Sequence, residues 1–139
     1  MALIQQHNER SDVEFEAGIP IWTQLVDEFT RRIVSGEWQP GNRIPAVREL
    51  AGDLGVNPNT VQRALTELER RELCRTERTS GRFITDNTEL IERIRVELAQ
   101  SSADDYIRSA RGLGLTQDQA QQLITESWHR HDHDEPESR

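Results

Sequence analysis

At 139 residues the chain has room for one domain or a small domain plus an accessory segment, and it is too short for a barrel enzyme or a two-half dinucleotide fold. Apolar residues make up only 34% and the formal charge is −8, yet the apolar positions cluster and recur with a period, which excludes a wholly disordered chain. There is no apolar run of membrane-spanning length, no basic-then-apolar start and only one cysteine, Cys74, so the pattern predicts a soluble, cytoplasmic protein without a membrane partner or an intrachain disulfide.

Residues 1–19 show no sustained period and read as a mobile or docking arm that ends at Gly18 and Pro20. From Ile21, Trp22, Leu25, Val26, Phe29 and Ile33 recur at helical spacing, predicting a first helix over about 21–35 with Gly36 as its left-handed stop. Trp38, Pro40 and Gly41 make a turn, and Arg43-Ile44 before Pro45 is expected to be extended. A second helix starts near Ala46, buries Val47, Leu50, Ala51 and Leu54, and ends at Gly55. Asn57-Pro58 supplies an N-cap followed by proline at the first helical position, opening a third helix with Val61, Ala64, Leu65 and Leu68 as its apolar stripe.

From Leu73 the period shortens to two strands, 73–78 and 82–85, around the loop Thr79-Ser80-Gly81. Asp86-x-x-Glu89 reads as a capping box for a fourth helix to about Arg111, stopped by Gly112 and Gly114. Thr116-x-x-Gln119 caps a fifth, whose inward face is Ala120, Leu123, Ile124 and Trp128; residues 129–139 read as a polar tail. In that tail His129, His131 and His133 alternate with Asp132 and Asp134, but a flexible tail offers a metal no preorganised geometry, so neither metal nor cofactor is expected. Cys74 reads as a small core residue, and the absence of nucleophile-elbow, P-loop or zincin motifs argues against an enzyme.

The two short helices with a tight glycine turn and a following hairpin predict a mainly α fold: an N-terminal winged helix-turn-helix over 20–86 with a two-stranded wing, followed by a short, two-helix dimerisation segment over 87–128. The negative charge sits at the ends. Residues 42–85 hold eight Arg against six acids, with Arg70, Arg71, Arg75, Arg78 and Arg82 close together. All seventeen basic residues are Arg, which suits bidentate phosphate and guanine contacts, although a genome-wide codon bias explains missing lysine more simply. The third helix turns outward Pro58, Asn59, Thr60, Gln62, Arg63 and Thr66, with no acid before Glu67; short amides, a hydroxyl and a guanidinium at a helix N-terminus fit base edges and phosphates in a major groove. Arg82, leaving the wing beside the backbone, is expected to neutralise phosphate. Ile91, Ile94, Leu98, Tyr106, Leu123 and Trp128 are the expected homodimer interface, since two lone helices leave such residues wet.

The stretch from Pro20 to Thr85, with its G-E-W-Q-P-G-N-R-I-P turn, R-E-L-A and V-N-P-N-T-V, resembles the winged-helix domain of GntR family transcriptional regulators, and the short remainder resembles the YtrA-type subfamily. The resemblance implies a homodimeric, usually repressing regulator that binds palindromic double-stranded DNA, often at transporter operons. It also implies that Arg48 reaches a guanine, that Asn57, Asn59 and Thr60 touch phosphate or base, and that Arg78, Ser80 and Gly81 belong to a wing in the minor groove. The chain departs from the family pattern at Ala46, where a capping serine is usual, at Thr79 in place of the first wing glycine, and at Glu72, where glycine is usual. Two short helices leave little room for an enclosed effector pocket, so a ligand would sit between subunits or at the wing junction. A protein-interaction module without specific DNA recognition is the competing reading; the acid-free third helix favours DNA.

Overall fold

The computed structural model describes residues 13–134. They form two compact units, one extending to Arg95 and the other starting at Val96. In chain order the elements are α1 (Ile21–Val34), α2 (Val47–Leu54), α3 (Pro58–Arg70), β1 (Cys74–Glu77), β2 (Gly81–Ile84), α4 (Thr88–Gly112) and α5 (Gln117–Asp134). The fold is mainly helical, a winged helix-turn-helix followed by two helices.

In the first unit α3 is the centre, packed against α1, α2 and β1. Its stripe of Val61, Ala64, Leu65 and Leu68 meets Leu25, Phe29 and Ile33 of α1 and Leu50, Ala51 and Leu54 of α2 in one buried cluster. Each of these side chains is removed from water almost completely, a gain of about 1.5–3 kcal/mol per large aliphatic residue. Trp38 closes the end of α1 by stacking on Phe29, with ring centroids 5.1 Å apart. The arm is not free along its whole length. Val13 and Phe15 pack against the core, and Gln24 ties residues 16–19 to α1 by accepting from the Glu16 N–H at 2.7 Å and donating to the Ile19 carbonyl at 2.9 Å. Residues 1–12, the rest of that arm, lie outside the described residues, as does the end of the tail after 134.

Three helices end in the same device, a left-handed residue that lets the following N–H reach back five residues. Val56 donates to Ala51 past Gly55 (φ +67°), and Leu115 to Ala110 past Gly114 (φ +82°). Leu73 donates to Leu68 past Glu72, whose φ of +65° makes it the one non-glycine residue with positive φ among the described residues. A side chain in that conformation costs about 1 kcal/mol or more relative to glycine, so the departure at Glu72 is a strained one. Ala46 precedes α2 without any side-chain cap, as its missing hydroxyl requires.

The hairpin pairs Cys74 with Ile84 and Thr76 with Arg82 in antiparallel register. Its inner strand β2 is paired on both edges, because Arg43 bridges Phe83, the Ile84 N–H donates to Asn42 O at 2.9 Å and the Ile44 N–H donates to Arg82 O at 2.8 Å. The extended Arg43-Ile44 segment thereby anchors the base of the wing.

Two helix ends and one packing assignment differ from those read in the sequence. The cap of α4 is Asn87, whose Oδ1 accepts from the Leu90 N–H at 3.0 Å; Asp86 instead faces Arg75. Helix α5 continues to Asp134, six residues past Trp128, so the histidines at 129, 131 and 133 are helical. At the start of α4, Ile91 is only 3% exposed and, with Leu90, completes the winged-helix core, against which Ile94 also packs. Arg95 Nε then donates to the Val34 carbonyl at 2.8 Å, a cation at the negative end of α1.

In the second unit the Thr116/Gln119 capping box is reciprocal. The Thr116 N–H donates to Gln119 Oε1 at 2.9 Å and the Gln119 N–H donates to Thr116 Oγ1 at 3.2 Å. The Tyr106 hydroxyl donates to Ala120 O at 2.9 Å, joining the second half of α4 to α5, and Ala110 is buried between them. An open groove of 560 Å³ lined by Ala103, Tyr106, Ile107, Ala120 and Ile124 remains between these helices. No helix among the described residues is long and apolar enough to cross a membrane.

Candidate nucleic-acid interface

The N-terminus of α3 is built for exposure. Asn57 Oδ1 accepts from the Asn59 N–H at 2.8 Å, Pro58 fills the first helical position, and no acid occupies the first turn. One orphan N–H is thus satisfied while the positive end of the helix dipole carries no carboxylate. Asn59, Gln62, Arg63 and Thr66 are exposed and Thr60 is half-buried on the same helix. The Thr66 hydroxyl donates back to the Gln62 carbonyl at 2.9 Å, leaving its oxygen as an acceptor. Arg63 is not a loose side chain: its guanidinium lies 4.2 Å from the ring centroid of Trp22, a cation–π contact that holds it against α1.

The wing tip of Arg78, Thr79 and Ser80 is exposed, with the Ser80 N–H donating to Glu77 O at 3.4 Å. Gly81 suits that position because its φ is +107°; an added Cβ would also stand 2.9 Å from Arg43 Nε, though that guanidinium ends a flexible side chain that can move aside. Arg82 on β2 points back at the helix, its Nη1 donating to Gln62 Oε1 at 3.2 Å. The wing arginine expected on phosphate is therefore engaged with a side chain expected on bases.

The arginine cluster divides by pairing. Arg70 Nη2 and Arg71 Nε share Glu67 at 2.6 and 3.0 Å. Those two guanidiniums, Arg70 foremost, hold the Glu67 carboxyl down to a pKa of about 2. Arg75 lies between Glu77 at 3.4 Å and Asp86 at 3.3 Å. Three of the five clustered arginines are thus neutralised locally, contrary to what their density in the sequence suggests. Arg43, Arg48, Arg63, Arg78 and Arg82 have no carboxylate partner among the described residues. Arg43 and Trp22 are additions to the expected set. The extended reading of Arg43-Ile44 carried the signal for Arg43, since neighbouring side chains on an extended segment point to opposite faces and Ile44 is buried, but nothing local linked Trp22 to Arg63.

Cys74 is buried, its thiol donating to Leu65 O at 3.7 Å, and burial pushes its pKa up to about 11. It stays a protonated thiol, without the thiolate a redox sensor uses. Of the expected interface residues, Ile91 and Ile94 are taken up by the winged-helix core. Leu98, Leu123 and Trp128 remain 49%, 42% and 69% exposed, and Tyr106 is half-buried with its hydroxyl satisfied.

A family model described as bacterial regulatory proteins, gntR family, matches residues 22–84. The chain is 34% identical over 108 residues to the HTH-type transcriptional regulator YhcF of Bacillus subtilis, covering 78% of this chain and 89% of that one. It is 37% identical over 82 residues to the HTH-type transcriptional repressor YtrA of the same organism, covering 58% of this chain and 63% of that one. Among solved structures, a GntR family transcriptional regulator from Listeria monocytogenes superimposes with a TM-score of 0.73 at 32% identity, over 81% of this chain and 98% of that one. The DNA-binding domain of AraR in complex with operator ORX1 gives a TM-score of 0.50 at 25% identity, over 54% of this chain and 96% of that one.

Proposed function

The chain belongs to the GntR family of DNA-binding transcriptional regulators, which are not enzymes, and from that premise we propose that it is a dimeric, sequence-specific repressor of a small operon. The observation that carries the reading is the exposed, acid-free N-terminal half of α3 beside five arginines without carboxylate partners. In this reading α3 lies in the major groove, where Asn59, Thr60, Gln62 and Arg63 face base edges and Arg48 reaches a guanine from α2. The free amide of Asn57 faces phosphate, and Arg78, Ser80 and Gly81 carry the wing into the minor groove. Leu98, Leu123 and Trp128 pair two chains, setting two recognition helices one palindrome apart. The similarity to the repressor YtrA supports repression, and a transporter operon is the regulated unit that the subfamily resemblance favours.

A fluorescence anisotropy titration with the promoter upstream of its own gene tests this. The expected result is saturable binding by one dimer per palindrome, at least 1,000-fold tighter than to scrambled duplex at about 0.15 M salt. Equal affinity for both duplexes would reject specific recognition and favour a protein-interaction module.

A further inference from the structure

Wing and recognition helix are joined by two side-chain bonds that follow one geometry. Thr76 and Arg82 are direct cross-strand partners, so they project from the same face of the hairpin. The Thr76 hydroxyl donates to Glu69 and Arg82 Nη1 donates to Gln62. Gln62 and Glu69 stand seven residues apart on α3, two turns along one side. A guanidinium carries only donors, so the atom of Gln62 that faces it is the amide oxygen, and the amide NH₂ is turned away. A further feature fixes the arginine itself: Arg82 Nε is buried with no hydrogen-bond partner. A side chain free to swing would turn that N–H to water, so the packing around the stem, and not the charge, determines where the fork points.

We propose that Arg82 is a specificity-determining positioning residue that locks the Gln62 amide with its donor outward and thereby makes this position of α3 read guanine and not adenine. A free glutamine reads adenine with both ends, donating to N7 and accepting from N6–H. With its oxygen held by Arg82, Gln62 offers the groove only N–H, and the unused Nη2 of Arg82 adds further donors beside it. The base edge that complements an all-donor surface has two acceptors, which is the O6/N7 edge of guanine. The inference rests on the proposed DNA-binding reading and goes beyond it by assigning one base to one pair of side chains.

The test is in vitro selection by the full-length protein from a duplex library with a randomised core, for wild type, Arg82→Met and Gln62→Ala, followed by anisotropy on the selected sites at several salt concentrations. Arg82→Met keeps the buried stem and removes the fork. The expected result is one position per half-site where wild type selects guanine and Arg82→Met selects adenine, a shift of about tenfold in the ratio, with the other positions unchanged and the salt slope preserved. Gln62→Ala, a change at an exposed helix site, flattens that same position alone. If Arg82→Met weakens every sequence alike and lowers the salt slope by about one, Arg82 is a phosphate contact and the proposal falls. Loss of fold in Arg82→Met leaves Gln62→Ala to decide: an unchanged guanine preference there overturns the assignment. Wild type selecting no sequence at all would overturn the repressor reading and the assignment together, whereas a normal selection with unaltered base preferences in both variants would overturn the assignment alone.

Discussion

The two units of the chain differ in what they build, three helices and a hairpin on the start of α4 in the first and helix almost throughout in the second, and they differ further in what they do with their apolar residues. Through Arg95 nearly every large aliphatic side chain on a helix or strand is buried, and the unit satisfies itself. From Val96 on, Ala110 is the one buried hydrophobic residue among those described, while Val96, Leu98, Ile107, Leu113, Leu123, Ile124 and Trp128 are exposed. The more helical unit is therefore the less self-sufficient one. The first unit has a core of its own, and the second has the apolar surface of half a core, the arrangement expected of a segment that is completed by a second copy.

The sharpest way to break this contrast is to cut the chain. Ending it after Thr85 removes Leu90 and Ile91 from the winged-helix core and should cost about 3–5 kcal/mol of its stability, measured by urea unfolding. Ending it after Arg95 retains both residues and the Arg95 bond to Val34, and should give a stable monomer by sedimentation. A stable fragment ending at Thr85 would show that α4 is not part of the first unit's core.

Trp128→Ala probes the other side. It should weaken dimerisation by about 2 kcal/mol, roughly 30-fold in dissociation constant, while leaving the unfolding of the winged helix of the isolated monomer unchanged. Glu72→Gly relieves the left-handed strain at the end of α3 and should stabilise the first unit by about 0.5–1 kcal/mol, seen as a higher thermal midpoint; a lower midpoint would mean that the added backbone freedom of glycine in the unfolded chain outweighs the relief. The smallest effect is electrostatic. Glu67 has its folded-state pKa lowered to about 2 from 4.5, so its contribution is complete above pH 4.5 and fades as the pH falls towards 2. Glu67→Gln should flatten the pH dependence of stability across that window, and only slightly, because both arginines that hold the carboxylate are exposed and solvent screens them.

Where local chemistry decides structure, the sequence was legible. The Asn57-Pro58 cap, the glycine stops at Gly36, Gly55 and Gly114, and the Thr116/Gln119 box each need only neighbouring residues. The apolar stripe of α3 likewise announced its buried face. What stayed hidden depends on distant partners or near-equal local options. Asp86 and Asn87 both suit a cap, and Arg75, eleven residues away from Asp86, draws its carboxylate aside. The docking of Val13 and Phe15 and the stacking of Arg63 on Trp22 join segments far apart in the chain. A run of arginines states charge but not pairing; Glu67, three and four residues before Arg70 and Arg71, is the shared partner of both on one helix turn. The last turns of α5 lack apolar residues, so periodicity could not distinguish an exposed helix from a tail.

The pairing of β2 on both sides has a consequence for solubility. With Arg43 occupying its far edge, the small sheet presents a single open strand among the described residues, β1, and that strand reads Cys-Arg-Thr-Glu. Arg75 and Glu77 stand on its outer face, pairing with each other at 3.4 Å. A foreign strand adding to this edge would have to align with fixed charges of both signs over only four residues, which disfavours edge-to-edge polymerisation. The hairpin can thus project far enough to act as a wing without becoming a template for aggregation.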